Sequence, residues 1–325
     1  MDFQIEEACI DCTYACNLQC IHCNVRCLAG SGRKELGGDE MVGLFDQLAE
    51  AGVSRVVLTG GEVLLRPDWE RLVGEACGRF AVIVFTNAVC VTREMADALA
   101  RMAKPPAVEV SVYGATAPVY DTVTGVPGSF ERFRAGLAAL REAGLCVMPK
   151  SMLLRENIHE WRLIHEEFGR CEGFKWDFRL SPRFDGKQDP VAHRATDVQV
   201  LDFLRGLGVS RKKRKKAHRL RSARICGMAC TGCAVSAFGD IFPCGMMPLS
   251  GGNIREKSFR EIWQGSKFAE IRALRMGDLA ECMACGALPY CKPCPGRNVL
   301  ERGDMRLPCP DSCRRARFRQ LVAEA

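Results

Sequence analysis

The sequence predicts an α/β protein in which a partial (β/α)6, TIM-like barrel is followed by a small, irregular, cysteine-rich domain. Between residues 8 and 182, short apolar runs alternate with helical periodicity, and this alternation gives six strands. Residues 48–53 (LAEAGV) and 140–145 (LREAGL) repeat one helix-to-strand junction. Such regularity implies parallel strands joined by right-handed crossovers, and six units favour an open barrel over a closed one. A doubly wound sheet is the alternative, because periodicity alone does not separate the two.

The bounds of the individual elements follow from residues that start or stop helices. Asp39 is predicted to cap the first helix, while Thr92 and Ser129 are predicted to cap later ones. Gly52 and Gly144 suit the left-handed backbone at which a helix ends before a strand. The predicted strands cover residues 8–13, 55–58, 81–85, 107–112, 145–150 and 174–180.

Composition divides the chain into three parts. Residues 1–190 carry the β/α alternation, and residues 191–225 form a linker with one predicted helix (196–207) and a run of basic residues. Residues 226–325 are rich in cysteine, glycine and proline, with one further helix predicted over 258–274. Because that last part is short of regular structure, we expect metal clusters to help hold it together.

The chain has 20 cysteines in 325 residues, and most of them are clustered. Six lie in residues 9–27, four in 226–244 and six in 282–313. No signal-peptide pattern and no apolar run of about 18 residues is present, so we expect a cytoplasmic protein that does not span a membrane. Since cytosolic thiols stay reduced, so many cysteines indicate metal or cluster binding rather than disulfides.

The net charge of +7 comes from one region of the chain. The run 211–216 (RKKRKK) and three nearby arginines supply nine positive charges, so the remainder carries −2. A solvated linker is the favoured interpretation of this run, and an acidic leader peptide or acidic partner is the alternative. Nucleic acid is not expected as a partner, because no aromatic residue interleaves the run for base stacking.

Three cysteines near the N-terminus, Cys16, Cys20 and Cys23, have the spacing C-x3-C-x2-C. Three closely spaced thiolates can hold three irons of a four-iron, four-sulfur (4Fe–4S) cluster, which leaves the fourth iron open to a ligand. A zinc site or simple burial is the alternative interpretation. The neighbouring Cys9, Cys12 and Cys27 have no assigned role, and the pair Cys9-x2-Cys12 competes for the ligand assignment.

Polar residues follow several predicted strands. Parallel α/β folds bind their ligands at these carboxyl ends of the strands. Gly60-Gly61-Glu62 follows the second strand, Asn87 follows the third and Ser111 lies near the end of the fourth. With the cysteine spacing, Gly-Gly-Glu at this strand resembles the radical S-adenosylmethionine (SAM) superfamily. The resemblance implies that the open iron binds SAM and that one electron from the cluster releases a 5′-deoxyadenosyl radical, which abstracts hydrogen from a substrate.

The resemblance also implies residues that contact SAM. Gly60 and Gly61 are expected to let the backbone approach its methionine moiety, and Glu62 to orient that backbone or receive the amino group. Asn87 and Ser111 lie at positions where polar contacts with SAM occur in the family. Lys150 is a further candidate, for the SAM carboxylate. The family usually has proline where this chain has Val63, a minor departure.

The C-terminal cysteines resemble the SPASM extension of radical SAM enzymes, which binds two auxiliary 4Fe–4S clusters. The pattern runs from Cys226 through Gly239, in a predicted hairpin turn, to Cys244, and then through C-x2-C-x5-C-x2-C to a last cysteine. Cys230 competes with Cys233, and Cys309 with Cys313; a zinc ribbon over 282–294 is the alternative. By position, one cluster would take Cys226, Cys233, Cys244 and Cys294, and the other Cys282, Cys285, Cys291 and Cys313.

Several segments resemble members of the family that modify ribosomally made peptides, among them residues 113–116, 123–130, 182–186 and 294–296. Relatives that mature sulfatases usually carry an aspartate general base after the second SPASM cysteine. This chain has Gly245 there, which cannot accept a proton, so sulfatase maturation ranks below peptide maturation. Candidates for an acid–base role are Asp185, Asp240 and Tyr113.

The sequence thus predicts a radical SAM/SPASM oxidoreductase with SAM and three 4Fe–4S clusters, acting on a peptide to give an oxidative modification or crosslink. Only seven residues precede the first strand, so a leader-binding domain is expected on a separate protein if one is needed. Further expectations are a flavodoxin- or ferredoxin-type electron donor and a monomeric state. The alternatives are a small-molecule or folded-protein substrate, or a non-catalytic iron–sulfur or zinc protein with a basic arm.

Overall fold

The computed structural model describes residues 5–208 and 220–324, and the basic run 211–216 lies outside them. Nine strands are present in these residues: β1 Glu7–Thr13, β2 Arg55–Gly60, β3 Ala81–Thr86, β4 Ala107–Val112, β5 Val147–Met152, β6 Lys175–Asp177, β7 Gly232–Val235, β8 Asp240–Phe242 and β9 Gly252–Asn253. The α-helices of the same residues are α1 Gly38–Glu50, α2 Trp69–Arg79, α3 Arg93–Ala100, α4 Ala117–Thr124, α5 Ser129–Glu142, α6 Trp161–Phe168, α7 Asp197–Gly206, α8 Phe259–Gln264, α9 Ser266–Ala273, α10 Ala280–Met283, α11 Pro295–Arg302 and α12 Pro310–Glu324.

All nine strands form one sheet in the order β6-β5-β4-β3-β2-β1-β7-β8-β9. Strands β1 to β6 are parallel and follow one another in chain order. A doubly wound sheet would reverse its strand order at a central position, and this sheet does not. The predicted α/β class with an open six-stranded barrel is therefore confirmed.

Strand β1 joins the barrel to the cysteine-rich part of the chain. On one side it pairs with β2, with Ala8 opposite Val56, and on the other it pairs in parallel with β7, with Ala8 opposite Cys233. Strands β7 and β8 then form the predicted hairpin, in which Gly239 has a left-handed φ of 90°. The sheet therefore runs without interruption from the barrel into residues 226–325.

Several element bounds differ from those predicted. Helix α1 begins one residue before Asp39 and has Gly37 as its N-cap, because the Glu40 carboxylate accepts the Gly37 amide hydrogen bond at 2.9 Å. The helix predicted over 258–274 is two helices, α8 and α9, separated by Gly265 in extended conformation. Helices α4 and α6 were not predicted.

The end of the chain is more helical than predicted, and buried ion pairs hold its helices together. Asp311, whose side chain is 2% exposed, accepts from Arg297 of α11 at 2.6 Å and from Arg315 of α12 at 2.8 Å. Arg297 also donates to the Ser312 hydroxyl at 3.1 Å. Within the described residues, no helix has the length and apolar character needed to cross a bilayer.

The packing of α5 against the loop after β3 gives the first testable prediction. At Gly136 an added Cβ would overlap the Ala88 carbonyl oxygen, whereas at Gly74 of α2 it would meet nothing within 4 Å. We expect Gly136→Ala to destabilise the protein by about 1–3 kcal/mol. Gly74→Ala is the matched control and should stabilise by roughly 0.5–1 kcal/mol, since alanine suits a helix interior better. Anaerobic thermal unfolding followed by circular dichroism measures both, and equal melting temperatures for the two variants would contradict the described packing.

Candidate active site

A cavity of about 830 Å³ opens at the carboxyl ends of the barrel strands. All six parallel strands of the barrel, or the residues that follow them, contribute to its wall. The wall includes most of the predicted site residues, namely Cys16, Cys20, Cys23, Gly60, Gly61, Asn87, Ser111 and Lys150. The chain therefore brings the N-terminal cysteines together with the polar strand ends, as parallel topology predicts.

The loop that carries the three N-terminal thiols is anchored on α4. Gln19 donates its amide hydrogen to the Thr124 carbonyl at 2.9 Å, and Ile21 donates to the Val123 carbonyl at 3.0 Å. Gly125, with φ of 67°, ends α4 directly beside the Gln19 carbonyl. The segment 123–130 noted in the sequence thus contributes to the position of the cysteine loop.

Cys16, Cys20 and Cys23 lie within electrostatic reach of one another. Burial raises the pKa of the Cys16 thiol to about 11, and Cys23 adds to the rise. Burial also raises the pKa of Cys20, with further contributions from Cys23 and Cys16. The raised pKa values keep these thiols protonated. A bound iron cluster would favour the ionised thiolates instead, because a metal ion stabilises the thiolate that coordinates it. The set therefore fits a cluster that ionises its three ligands on binding.

These three thiols form a set because they lie close together, not because they surround the position of a single metal ion. Among the residues that the structure describes, no group of three or more His, Cys, Asp or Glu side chains is arranged around one metal ion. The remaining cysteines of this region lie apart from the cavity wall. Cys9 and Cys12 belong to β1, and Cys27 donates to the Asn24 carbonyl at 3.6 Å.

Gly60 and Gly61 permit a close approach between the ends of β1 and β2. The Gly61 amide donates to the Thr13 carbonyl at 2.7 Å, and the Glu62 amide donates to the Ala15 carbonyl at 2.8 Å. Gly60 has φ of 121°, and a Cβ at either glycine would overlap these same carbonyl oxygens. The glycines are thus required to bring the loop before Cys16 against the end of β2.

Glu62 is fully buried and does not line the cavity. One carboxylate oxygen accepts from the Thr86 hydroxyl at 2.9 Å, and the other accepts from the backbone amide of Asn87 at 2.8 Å. Burial raises the pKa of Glu62 to about 7, against the effect of these hydrogen bonds. Of its two expected roles, the geometry supports orienting the backbone and not receiving the amino group of a ligand.

The three other predicted contact residues lie on the cavity wall, and the side chains of Asn87 and Lys150 already have partners. The side-chain amide of Asn87 donates to the side-chain oxygen of Asn17 at 2.8 Å, and the side-chain oxygen of Asn87 accepts from the backbone amide of Val89. Lys150 lies opposite Ser111 in the β4–β5 pairing and forms an ion pair with Glu109 at 3.3 Å. Asn87 therefore also helps to position the cysteine loop, through Asn17.

Charged residues of the wall that were not predicted are Arg26, Glu109, Asp177 and Arg179. Glu109 is buried and receives ion pairs from Lys150 at 3.3 Å and Lys175 at 3.4 Å. A polar residue at every second position of an apolar strand marks the inward face of a barrel, and the sequence VEVSV of β4 has this pattern. That alternation was the available signal for Glu109.

Of the three candidates for an acid–base role, Tyr113 lines the cavity and the other two do not. Its ring contacts that of His22 with 5.0 Å between centroids, and burial raises its pKa well above the usual value. Asp185 is paired with Arg183 at 2.6 Å, and Asp240 with Arg33 at 2.8 Å. These two carboxylates therefore serve ion pairs away from the cavity.

The C-terminal cysteines form two groups. In the first, burial raises the pKa of Cys244 to about 11, and Cys294 and Cys226 add to the rise. Cys230 likewise adds to the raised pKa of Cys226, after burial and Cys294. In the second, burial raises the pKa of Cys282 to about 12, with contributions from Cys291, Cys313 and Cys285.

The structure does not bring Cys233 to the first group. Cys233 lies on β7 opposite Ala8 and is buried in the apolar core of the sheet. Cys230 precedes β7 and lies within electrostatic reach of Cys226, so the geometry groups Cys230, and not Cys233, with Cys226. In the second group Cys313 is the member, while the Cys309 thiol donates to the Glu301 carboxylate at 3.1 Å.

The first C-terminal group adjoins the cavity. Gly245 and Met246 directly follow Cys244 and line the same cavity as Cys16, Cys20 and Cys23. Gly245, which the sequence marks as a departure from sulfatase-maturing relatives, is therefore a wall residue without a side chain. The chain directly after Cys244 thus forms part of the wall of the cavity that contains the N-terminal thiols.

Comparison with known proteins finds two matching families, one for the part of the chain with the N-terminal thiols and one for the cysteine-rich part. Residues 10–167 match the radical SAM superfamily, and residues 226–295 match SPASM, an iron–sulfur cluster-binding domain. An AdoMet-dependent heme synthase of Methanosarcina barkeri is 30% identical over 323 residues, which cover 90% of this chain and 91% of that protein. The mycofactocin maturase MftC of Mycobacterium tuberculosis is 29% identical over 311 residues, covering 86% of this chain and 75% of MftC.

Among solved structures, Streptococcus suis SuiB bound to its precursor peptide SuiA superimposes with a TM-score of 0.70. The match covers 95% of this chain and 76% of SuiB at 16% identity, which establishes a shared fold. The full-length similarity to the heme synthase, both domain matches and the shared fold lead to one conclusion. The chain belongs to the radical SAM superfamily and carries a C-terminal SPASM domain.

Proposed function

We propose that this protein is a radical SAM oxidoreductase with three 4Fe–4S clusters, which abstracts hydrogen from a substrate and then oxidises the resulting substrate radical. Cys16, Cys20 and Cys23 would hold the SAM-binding cluster. One auxiliary cluster would take the first C-terminal group and the other the second. The ligands of these two would be Cys226, Cys230, Cys244 and Cys294 for the first, and Cys282, Cys285, Cys291 and Cys313 for the second.

When bound and reduced by one electron, the cluster and SAM supply a 5′-deoxyadenosyl radical. The residues of this chain provide the position and the enclosure. The bonds from Gly61 and Glu62 to the loop before Cys16 fix the cysteine loop against β2. Glu62 holds the Asn87 backbone, and the strand ends surround the reacting atoms and limit access of water.

One observation carries the oxidation step: the cavity that contains the N-terminal thiols is also lined by Gly245 and Met246. These residues follow Cys244, a proposed auxiliary ligand. A substrate in the cavity would therefore lie between the site of hydrogen abstraction and an auxiliary cluster. Such an arrangement gives the electron of the substrate radical a short route into the protein, so the net reaction is an oxidation.

A peptide is the first candidate substrate. MftC is named as a maturase, and SuiB was solved with a precursor peptide. The segments 113–116 and 123–130, which resemble peptide-modifying members, lie at the cavity and at the cysteine loop. A leader-binding partner protein and a flavodoxin- or ferredoxin-type electron donor belong to this proposal. The basic run 211–216 would contact an acidic partner if it is more than a linker.

An anionic tetrapyrrole is the second candidate, and a specific observation favours it. The heme synthase similarity extends over about nine-tenths of both chains, whereas the MftC similarity leaves a quarter of MftC uncovered. Mass spectrometry separates the two candidates. Loss of hydrogen from a peptide encoded beside this gene supports the first, and a mass change in an iron porphyrin that carries propionate side chains supports the second.

Formation of 5′-deoxyadenosine tests the central step. We expect the anaerobically reconstituted, dithionite-reduced protein to cleave SAM to 5′-deoxyadenosine, and Cys20→Ala to reduce the product to background because one iron ligand is lost. Cys146→Ala, at an exposed cysteine outside the thiol groups, is the control and should keep the wild-type rate. Absence of product from the wild type, or full activity of Cys20→Ala, would refute the proposal.

Iron content tests the auxiliary ligands. Three clusters correspond to about 12 irons per chain. Cys230→Ala is expected to lower the content toward about eight, because it removes a ligand of the first auxiliary cluster. Cys233→Ala is the matched control, three residues away, and should keep about 12 because this thiol is packed in the sheet core. A lower iron content in Cys233→Ala than in Cys230→Ala would restore Cys233 as the cluster ligand, as assigned from the sequence.

A further inference from the structure

The active-site cavity meets a second cavity of about 460 Å³. Cys226, Cys291 and Cys294 lie in the wall of the second cavity. Arg179 and Met246 line both cavities, so they form the junction between them. A group placed at this junction would face the N-terminal thiols on one side and the auxiliary thiols on the other.

Arg179 is held in a fixed orientation at this junction. Its Nε donates to Asp177 Oδ1 at 2.8 Å and its Nη2 donates to Asp177 Oδ2 at 2.6 Å. The Asp177 side chain is 8% exposed, whereas that of Arg179 is 60% exposed. Among the described residues, Nη1 of Arg179 has no hydrogen-bond partner. One edge of the guanidinium is therefore used for positioning, and the other is free to bind a ligand.

Five basic side chains line the second cavity, and three of them, Arg179, Arg297 and Arg315, are paired with the carboxylates of Asp177 and Asp311 behind the wall. The lining residues of this cavity include no Asp or Glu, while the basic ones are Arg179, Lys292, Arg297, Arg315 and Arg319. Arg297 is 2% exposed and donates to Asp311 and Ser312, so it belongs to the buried ion pairs behind the cavity and not to its accessible surface.

We propose that this junction is a binding site for a carboxylate group of the substrate, with Arg179 as its anchor. The inference rests on the proposed function, because it places the anchored substrate between the two sites of chemistry. A guanidinium fixed on one edge presents a planar pair of donors that matches a carboxylate. Both candidate substrates can supply that group, from a peptide acid or from a tetrapyrrole side chain.

The anchor would decide which carbon is oxidised. Of the other cations of the active-site wall, Lys150 is paired with Glu109, and the exposed Arg26 donates to the Gln19 side chain at 3.4 Å. A carboxylate at Arg179 leaves the adjoining part of the substrate in the barrel cavity, facing Cys16, Cys20 and Cys23. The proposal therefore assigns to Arg179 a role in substrate position and specificity, separate from SAM cleavage.

Binding of a small dicarboxylate, glutarate, to the reconstituted holoenzyme with SAM tests this site without radical chemistry. Isothermal titration calorimetry should detect glutarate binding to the wild type, and Arg179→Gln should weaken it at least about tenfold, as expected for loss of a charged hydrogen-bond partner. Arg179→Lys should give an intermediate loss, since it keeps the charge without the planar fork. Iron content and circular dichroism confirm that each variant is folded and loaded.

Arg183→Gln is the matched control. Arg183 is clamped by Asp185 in the same bidentate way, at 3.1 and 2.6 Å, but lines neither cavity. The Arg183→Gln variant should therefore bind glutarate as tightly as the wild type. No glutarate binding by the wild type, equal binding by Arg179→Gln, or binding of inorganic phosphate in preference to glutarate would overturn the carboxylate assignment.

Two further arms identify the source of the carboxylate. If it comes from a tetrapyrrole, an iron porphyrin with free propionates should compete with glutarate and its methyl ester should not. If it comes from a peptide, the acid form of the peptide encoded beside this gene should compete and its amide should not. Because the titration needs no 5′-deoxyadenosine, failure of SAM cleavage and failure of carboxylate binding give separate results.

Discussion

The site depends on a close backbone contact between the ends of the first two strands. Two amides at the end of β2, from Gly61 and Glu62, donate to carbonyls in the loop that leads from β1 to Cys16. This contact is possible only because Gly60 and Gly61 have no Cβ. Glu62 then continues the connection to β3 through Thr86 and Asn87. The cysteine loop is thus fixed by neighbouring strands before any cofactor binds.

The second constraint is the position of β1 within the sheet. Because β1 pairs with β2 on one edge and β7 on the other, the cysteine-rich part begins as a continuation of the barrel. The hairpin of β7 and β8 returns the chain to Cys244, and Gly245 and Met246 then enter the cavity wall. Hydrogen bonding in one sheet therefore links the N-terminal thiols to the auxiliary thiols, which the proposed oxidation requires.

Much of this architecture was predictable from residue patterns. The β/α alternation and glycine stops give the barrel strands, and parallel strands necessarily bring Cys16, Asn87, Ser111 and Lys150 to one edge. The choice between Cys230 and Cys233 was not predictable, because it depends on where β7 begins and on its pairing with β1, which buries Cys233 and leaves Cys230 before the strand. Arg179 was missed for a similar reason: its importance comes from the meeting of two cavities, which sequence spacing does not contain.

The central claim is that one of three clusters binds SAM in the barrel cavity while the other two are held by cysteine side chains alone. Electron paramagnetic resonance of the reduced, reconstituted protein tests it most directly. Addition of SAM should shift the signal of one cluster, and that cluster should be absent from Cys20→Ala, while the signals of the other two stay unchanged. If SAM shifts no signal, or shifts a signal that persists in Cys20→Ala, the assignment of the open cluster to Cys16, Cys20 and Cys23 is contradicted.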